Sequence, residues 1–391
     1  MAMIDVARMR AETRGCQEVL HFNNAGASLP PAPVADYLYD FLRDEELRGG
    51  YETAKARHGE LEHFYTATAR LLGARSNEVA FVENATRAWD MVFYALPLAP
   101  GDKVLTTVAE YGSNLIAYLH RARLTRAELV VIPNDANGQI DLNALEKAID
   151  ERTRLISISH IPTGGGLVNP AEEVGRVARA HGIPYLLDAC QSVGQLPLNV
   201  EELGCDFLSA SGRKYLRAPR GTGFLYVRGE WIEQLDPPFL DQHAAELIDG
   251  ENYSVREDAR RFENWERYYA GQAALGRAVD YALDLGLEAI RDRVFDLAAN
   301  LRVRLGGIPE VEVTDEGVLK CGIVTWRHAR VGAEEIKRRF LANRINVSES
   351  SGSGMRLSYL ARSLDSLVRS SVHYFNTEEE IDRFIGAVRL L

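Results

Sequence analysis

Residues 185–191 read YLLDACQ, and residues 207–215 read FLSASGRKY. Each stretch opens with a short apolar run that is typical of a buried strand and closes with polar residues. Earlier in the chain, Val104–Val108, Leu129–Ile132 and Leu155–Ser159 are further apolar runs of strand length. We therefore predict a series of buried strands, two of which end in polar side chains.

Two amphipathic stretches separate these strands. Asp141–Ile149 and Ala171–His181 have the apolar spacing of helices. The alternation of strand and helix predicts an α/β fold with a mostly parallel sheet that helices cover on both faces. Such sheets place ligand sites beyond the carboxyl ends of their strands, so Asp188 and the polar residues after residue 209 become candidates for a site.

The pattern changes after residue 263. Tyr268–Leu305 favours helix, with Gly276 and Gly286 as candidate breaks, and Ser348–Gly354 predicts a mobile loop. The other predicted strands and helices are Val311–Val313, Gly322–Trp326, Gly332–Asn343 and Thr377–Leu391, the last with a capping box of Thr377 and Glu380. We predict a large α/β domain at residues 20–262 and a smaller α+β domain made of residues 1–19 and 263–391.

The composition limits the class of protein. The 391 residues carry a formal net charge of −11, which opposes nucleic acid or an anionic membrane surface as the main partner. The first ten residues, MAMIDVARMR, lack the apolar core of a secretory signal, and no run approaches the roughly 18 apolar residues of a membrane span. The four cysteines form no C-x-x-C pair, so no metal or dithiol site is indicated, and we expect a cytoplasmic protein.

A lysine with unusual neighbours suggests the chemistry. Lys214 stands 26 residues after Asp188, and Ser211, Gly212 and Arg213 precede it directly. One interpretation is a solvated surface loop. The other is a lysine that forms a Schiff base, beside hydroxyl, amide and guanidinium groups that bind a phosphate.

The order and spacing of four strings resemble the class V aminotransferase family of fold-type I pyridoxal-phosphate enzymes. The strings are Asp188–Gln191, Asp206–Phe207, Ser211–Lys214 and Gly221–Val227. In the family they read Asp-x-x-Gln, Asp-Phe, Ser-x-x-Lys and Gly-x-Gly-x-Leu-Tyr-Val. The resemblance implies the fold-type I architecture, pyridoxal 5'-phosphate as the cofactor and a small amino acid as the substrate.

The resemblance also implies roles for the three residues expected to be catalytic. Lys214 would carry the cofactor as a Schiff base and move the Cα proton of the substrate. Asp188 would face the pyridine nitrogen and keep it protonated. Tyr111 would stack on the pyridine ring at a position where relatives usually have histidine.

Further residues are expected, by the same resemblance, to bind the cofactor or the substrate. The cofactor group adds Gln191 on the ring hydroxyl, Thr163, and a phosphate set of Ala85, Thr86, Arg87, Ser211 and Arg213. The substrate group consists of Ala25, Gly26 and Arg369, with the Arg369 guanidinium on the substrate carboxylate.

Several reactions are compatible with these residues. Desulfurases of the family place a nucleophilic cysteine on a mobile loop of the small domain, and the corresponding stretch here, Val347–Tyr359, contains none. We therefore favour a carbon–sulfur lyase that acts by β-elimination. An epimerase or racemase and an aminotransferase are alternatives within the family, and a non-catalytic binding protein is the remote alternative. The string Arg260–Glu263 resembles a domain-junction motif of the family and implies a homodimer.

Overall fold

The computed structural model describes residues 4–391. Within this range the helices are α1 (Val6–Ala11), α2 (Ala32–Arg48), α3 (Gly50–Ala56), α4 (His58–Leu72), α5 (Ala85–Ala95), α6 (Gly112–Thr125), α7 (Leu142–Ala148), α8 (Ala171–His181), α9 (Val200–Leu203), α10 (Gly229–Ile232), α11 (Tyr269–Leu285), α12 (Leu287–Gly306), α13 (Ala333–Ala342), α14 (Arg356–Ala361) and α15 (Glu378–Val388). Short 3-10 turns lie at Arg14–Gln17, Ser76–Glu78 and Ala259–Phe262.

The strands of the same range are β1 (Leu20–His21), β2 (Val79–Val82), β3 (Lys103–Thr107), β4 (Glu128–Ile132), β5 (Thr153–Ser159), β6 (Tyr185–Asp188), β7 (Phe207–Ser211), β8 (Gly223–Val227), β9 (Ala245–Leu247), β10 (Tyr253–Val255), β11 (Val311–Val313), β12 (Ile323–His328), β13 (Ile345–Asn346), β14 (Ser348–Ser351) and β15 (Ser366–Ser371). Every apolar run that the sequence predicted to be a strand overlaps one of them, with Val108 and Gly322 just outside the observed bounds.

Seven strands form the large sheet in the order β2-β8-β7-β6-β5-β3-β4. The run from β7 to β4 is parallel throughout, and β8 alone is antiparallel to its neighbours β7 and β2. Side chains alternate between two apolar cores, so that Leu186 packs on one face of the sheet and Leu187 on the other. The predicted mostly parallel sheet, covered on both faces, is confirmed.

Local signals explain where the helices begin and end. Asp141 caps α7, and Thr377 caps α15 in the predicted capping box with Glu380. The long helical region breaks at Gly286, whose φ of +84° suits glycine, but it does not break at Gly276. A Cβ at Gly276 would lie 3.1 Å from the Phe64 Cα, so this glycine lets α11 approach α4 closely.

A second, four-stranded antiparallel sheet follows, in the order β11-β12-β15-β14. The prediction of a loop over Ser348–Gly354 is wrong in part, because Ser348–Ser351 forms β14. This strand pairs with β15, where Ser348 lies opposite Arg369. Strand neighbours supply the backbone hydrogen bonds that the local Ser/Gly composition does not predict. The division into two domains stays a prediction.

The helices of residues 4–391 are all short or interrupted by polar residues relative to a membrane span. No helix in that range combines the length and the apolar composition needed to cross a bilayer.

Candidate active site

One cavity of about 400 Å³ opens at the carboxyl ends of the parallel strands, the edge at which α/β sheets bind ligands. It brings together residues that are far apart in the sequence. Its lining consists of Glu83, Asn84, Ala85, Thr86, Tyr111, Ser159, Ile161, Thr163, Asp188, Cys190, Gln191, Ser211, Arg213, Lys214, Arg220 and Gly221. A larger, more open groove beside β9 and β10 contains none of the predicted site residues.

Asp188 ends β6 inside this cavity and is only 7% exposed. Its Oδ1 accepts a hydrogen bond from the Cys190 backbone N–H at 2.9 Å, and its Oδ2 accepts one from Asn114 Nδ2 at 3.1 Å. Burial raises the pKa of Asp188, and these donors together with the Lys214 charge oppose the rise. A protonated ring nitrogen against this carboxylate would offset the cost of its burial.

The N-terminus of α5 forms another wall of the cavity. Asn84 caps the helix by accepting from the Arg87 backbone N–H at 2.9 Å, and the Ala85 N–H donates to Ser211 Oγ at 2.9 Å. The first turn of a helix presents N–H groups that have no acceptor within the helix, and its dipole favours an anion. Together with Thr86 and Arg213, this end of the cavity suits a phosphate.

Lys214 lies in the turn that follows β7 and is 9% exposed. Ser211, the last residue of β7, is directed to the α5 N-terminus, so one short turn serves both the phosphate wall and the lysine. The other side of the cavity is formed by Tyr111, at the N-cap position of α6, and by Thr163.

Gln191 connects the cavity to the N-terminal segment of the chain. Its Nε2 donates to the Ala25 carbonyl at 3.1 Å and to Thr163 Oγ1 at 3.2 Å. Its Oε1 is buried and has no hydrogen-bond partner among residues 4–391. A buried carbonyl oxygen without a donor is costly, so this atom indicates a missing polar group in the cavity.

Arg369 lies on β15 and is 8% exposed. Its Nη1 donates to Thr163 Oγ1 at 2.5 Å and to the Thr163 carbonyl at 3.1 Å, whereas its Nε has no partner within the described range. No carboxylate in that range lies within 4.0 Å of the guanidinium. A buried guanidinium that has no carboxylate partner favours the binding of an anion, and the carboxylate of an amino-acid substrate would be such an anion.

Two other arginines near Arg369 in the sequence, Arg356 and Arg362, are placed differently. Arg362 forms an ion pair with Glu316 at 3.2 Å, and Arg356 is exposed. Neither therefore has a need for an additional anion.

We expect Arg369→Lys to raise the KM for an amino-acid substrate about 10- to 100-fold and to leave the absorbance of the bound cofactor unchanged. Lysine keeps the charge but loses the planar fork, and charge-assisted hydrogen bonds are worth about 1.5–3 kcal/mol. Steady-state kinetics with Arg356→Lys and Arg362→Lys as matched controls check this. A larger rise in KM at either control position would assign the carboxylate to another arginine.

Several predicted residues lie outside the cavity lining. The Arg87 guanidinium stacks over the Phe239 ring, 4.5 Å from its centroid, and is not in the lining. Ala25, Gly26 and Arg369 also lie outside it, but Ala25 contacts the lining residue Gln191 and Arg369 contacts the lining residue Thr163. The roles of all the site residues stay predictions.

The structure adds residues that the sequence argument did not select. Asn84, Ser159, Cys190 and Arg220 line the cavity, and Asn114 contacts Asp188. Arg220 stands next to the recognised string Gly221–Val227, and Cys190 lies within the recognised string Asp188–Gln191, so their positions were the available signal. Asn84, Ser159 and Asn114 lie outside the four strings.

These residues fit pyridoxal phosphate. The cavity joins a helix N-terminus, a buried lysine, a buried carboxylate and the partnerless Gln191 Oε1. An anionic phosphate, a carbonyl carbon, a basic ring nitrogen and a ring hydroxyl are the groups that would satisfy them.

Comparisons with known proteins agree with this fit. The family model described as aminotransferase class V matches residues 20–384. A probable cysteine desulfurase from Synechocystis sp. is 30% identical over 381 residues, which cover 95% of this chain and 90% of that protein. The apo structure of a cysteine desulfurase from Thermococcus onnurineus NA1 is 26% identical and has a TM-score of 0.92, with 100% of this chain and 99% of that one covered.

A structure of C-DES with glycine covalently linked to its PLP cofactor is similar in fold, with a TM-score of 0.88 at 21% identity over 97% of this chain and 98% of that one. The predictions of the fold-type I architecture and of pyridoxal phosphate as the cofactor are confirmed. Because the family model matches residues 20–384 of this 391-residue chain, the chain belongs to the class V aminotransferase family.

Proposed function

We propose that this protein is a carbon–sulfur lyase that acts on cysteine or a cysteine S-conjugate by β-elimination, without a catalytic cysteine. When bound, pyridoxal phosphate supplies an electron sink for negative charge at the substrate Cα. The relatives are named as cysteine desulfurases, which supports a sulfur-containing amino acid as the substrate.

The residues in and beside the cavity would have separate roles. Arg369 would hold the substrate carboxylate and so set which bond at Cα stands perpendicular to the ring. Lys214 Nζ would take the Cα proton, and its burial excludes competing water. The electron pair of the Cα–H bond then forms the Cα–Cβ double bond while the Cβ–S bond breaks and sulfur leaves with the bonding pair. Hydrolysis of the unsaturated amine yields pyruvate and ammonia.

The observation that carries this proposal is the absence of cysteine from residues 347–359, the segment beside the cavity. Within this segment Met355 and Tyr359 are buried against Ala109 and Leu167 of the large sheet's loops. A Cβ at Gly112 would lie 2.4 Å from the Ser353 carbonyl oxygen, which shows how closely the segment approaches the Tyr111 wall.

The cysteines lie elsewhere. Cys205 and Cys321 are fully buried, and burial raises the pKa of each thiol to about 12, which disfavours a nucleophilic thiolate. Cys16 is partly buried, and burial raises its pKa to about 11. Cys190 alone of the four lines the cavity, and its backbone N–H contacts Asp188, the expected partner of the ring nitrogen.

We expect a variant with all four cysteines replaced by alanine or serine to fold and to keep the turnover number of the natural chain. β-Elimination needs a base and an electron sink but no sulfur acceptor on the protein. The measurement is product analysis with cysteine, cystine and cysteine S-conjugates: pyruvate and ammonia indicate elimination, whereas alanine indicates transfer of sulfur to the enzyme.

If the variant without cysteines loses activity, the single variants Cys190→Ala and Cys321→Ala show which cysteine is needed. Loss of turnover in either one with an unchanged circular dichroism spectrum would restore a persulfide mechanism. Exchange of the Cα proton for deuterium with full recovery of the substrate would instead support an epimerase.

A homodimer is also proposed. The junction string is engaged within its own chain, because Arg260 pairs with Glu62 at 2.6 Å and Glu263 accepts from Tyr65 at 2.9 Å. Support comes instead from a cluster of exposed apolar side chains at residues 239–253, namely Phe239, Leu247, Ile248 and Tyr253.

Light scattering is expected to give a mass near twice the 43.5 kDa of one chain. The double variant Leu247→Asp with Ile248→Asp should lower this mass, because buried charge without a partner destabilises an interface. Val303→Asp, at a side chain that is 76% exposed on α12, is the matched control. A monomer with full activity would contradict the proposal.

A further inference from the structure

A second acid is buried behind Asp188. Glu110, at the end of the loop that follows β3, is 0% exposed. Its carboxylate oxygens accept five hydrogen bonds: from Thr106 Oγ1 at 2.8 Å, the Tyr111 backbone N–H at 2.7 Å, Asn114 Nδ2 at 3.0 Å, Tyr118 Oη at 3.3 Å and Ser159 Oγ at 2.7 Å. No cationic side chain of residues 4–391 lies within 4.0 Å of it.

The Asn114 side chain joins the two acids. Its Nδ2 donates to Glu110 Oε1 at 3.0 Å and to Asp188 Oδ2 at 3.1 Å, so both amide hydrogens are used. The orientation of this amide is therefore set by the two carboxylates it bridges. Ser159, which donates to the same Glu110 oxygen, lines the cavity and lies opposite Asp188 in the pairing of β5 with β6.

Burial of a carboxylate at this position costs solvation free energy. Well-packed apolar side chains of similar volume usually stabilise a fold as well as a buried charge or better. The presence of an acid at Glu110 with donors on both oxygens therefore indicates a purpose beyond packing. Among residues 4–391, its hydrogen bonds reach the cavity through Asn114, Ser159 and the neighbouring Tyr111.

We propose that Glu110 is a positioning residue for Asp188, which it holds in one orientation through Asn114, and that its charge, when ionised, adds to the negative potential at the ring nitrogen. This inference rests on the proposed role of Asp188 as the partner of the ring nitrogen. Because Asp188 Oδ1 is engaged by the Cys190 N–H and Oδ2 by Asn114, the carboxylate has little freedom to rotate. A second negative charge behind it favours positive charge on the ring nitrogen in front of it.

The ionisation of Glu110 is sensitive to pH near neutrality. Burial and the nearby Asp188 raise the pKa of Glu110 to about 7, against the lowering effect of its hydrogen-bond donors. The titratable groups that face it are Asp188 and Tyr118, and Lys214 acts on Asp188 from the cavity side. Protonation of Glu110 as the pH falls would remove the second negative charge.

The test uses the protein with pyridoxal phosphate bound and the variant Glu110→Gln. Glutamine removes the charge but can keep the hydrogen bonds, because its Oε1 can accept from the Tyr111 N–H and Asn114 while its Nε2 faces the Thr106 and Tyr118 hydroxyls, which can accept. We expect kcat to fall about tenfold with KM within about twofold, because one pK unit at the ring nitrogen is worth about 1.4 kcal/mol. We also expect the pH midpoint of the bound-cofactor absorbance to shift by about one unit.

Glu78→Gln is the matched control, because Glu78 is also a buried acid but pairs with Arg75 and the Gly229 N–H far from the cavity. It should lower thermal stability without moving the absorbance midpoint. If Glu110→Gln does not fold, Asn114→Ala removes the amide through which Glu110 holds Asp188. In that case Asn114→Ala should also shift the midpoint. If both fold, the double variant should lose less than the sum of the two single losses.

The outcomes separate the two proposals. Suppose that Asp188→Asn shifts the absorbance midpoint or lowers turnover, but Glu110→Gln or Asn114→Ala leaves the midpoint unchanged. The role of Glu110 alone is then overturned. A normal midpoint and normal turnover in Asp188→Asn overturn the role of Asp188, and the role of Glu110 falls with it. A shift in all three variants but not in Glu78→Gln supports the proposal.

Discussion

Lys214→Ala is expected to abolish turnover and to remove the cofactor absorbance that borohydride bleaches. The reason is that one side chain has two tasks: its Nζ forms the covalent bond to the cofactor and then acts as the base at the substrate Cα. General acid–base catalysis alone contributes about 10²- to 10⁴-fold, so we expect a loss of at least about 10³-fold.

Peptide mapping after borohydride reduction measures the covalent bond directly and should place the label on Lys214. Lys320→Ala is a suitable control, because Lys320 is also partly buried and donates to the Gly317 carbonyl at 2.6 Å but is not in the cavity lining. A label on any other lysine would contradict the assignment and most of the proposed mechanism.

Asp188→Asn is expected to keep the cofactor bound and to slow Cα proton removal about 10²- to 10³-fold. Asparagine preserves the shape of the side chain, but it carries no negative charge to stabilise a protonated ring nitrogen. Loss of one preorganised electrostatic partner in a closed site typically costs about 3–4 kcal/mol of transition-state stabilisation. Rapid mixing of substrate with the variant, followed by proton–deuterium exchange at Cα, measures the affected step.

Asp206→Asn provides the comparison. Asp206 precedes β7 at the opposite edge of the same sheet, where it is partly buried and accepts from the Tyr185 backbone N–H at 2.8 Å. We expect this change to reduce stability and to leave the exchange rate intact. Equal exchange rates in Asp188→Asn and the natural chain would refute the role of Asp188.

The sequence was sufficient for most of the large sheet and for the selection of two residues that the cavity contains. Strands from Lys103 to Val227 were predictable because their apolar runs report burial, which is a local property of each segment. Asp188 and Lys214 could be selected because each follows a strand within a short string of fixed spacing. Parallel strands bring such ends to one edge, so the two residues meet in one cavity.

Other features depended on which elements become neighbours. Ser348–Ser351 reads as a loop but pairs with β15, and Gly276 reads as a break but seats α11 against α4. Arg87 was expected at the phosphate yet stacks on Phe239, at a distance in sequence that no local pattern reports.

The clearest case is the network that joins Glu110 to Asp188. Glu110 and Asn114 could be recognised as neighbours on one helix start, but Asp188 follows 74 residues after Asn114. The sequence by itself determined the strands, the lysine and the acid of the cavity, because burial periodicity and short strings are local. Only the tertiary structure decided which polar atoms share a hydrogen bond and which buried charges lack a partner, because these depend on distances across elements that are remote in sequence.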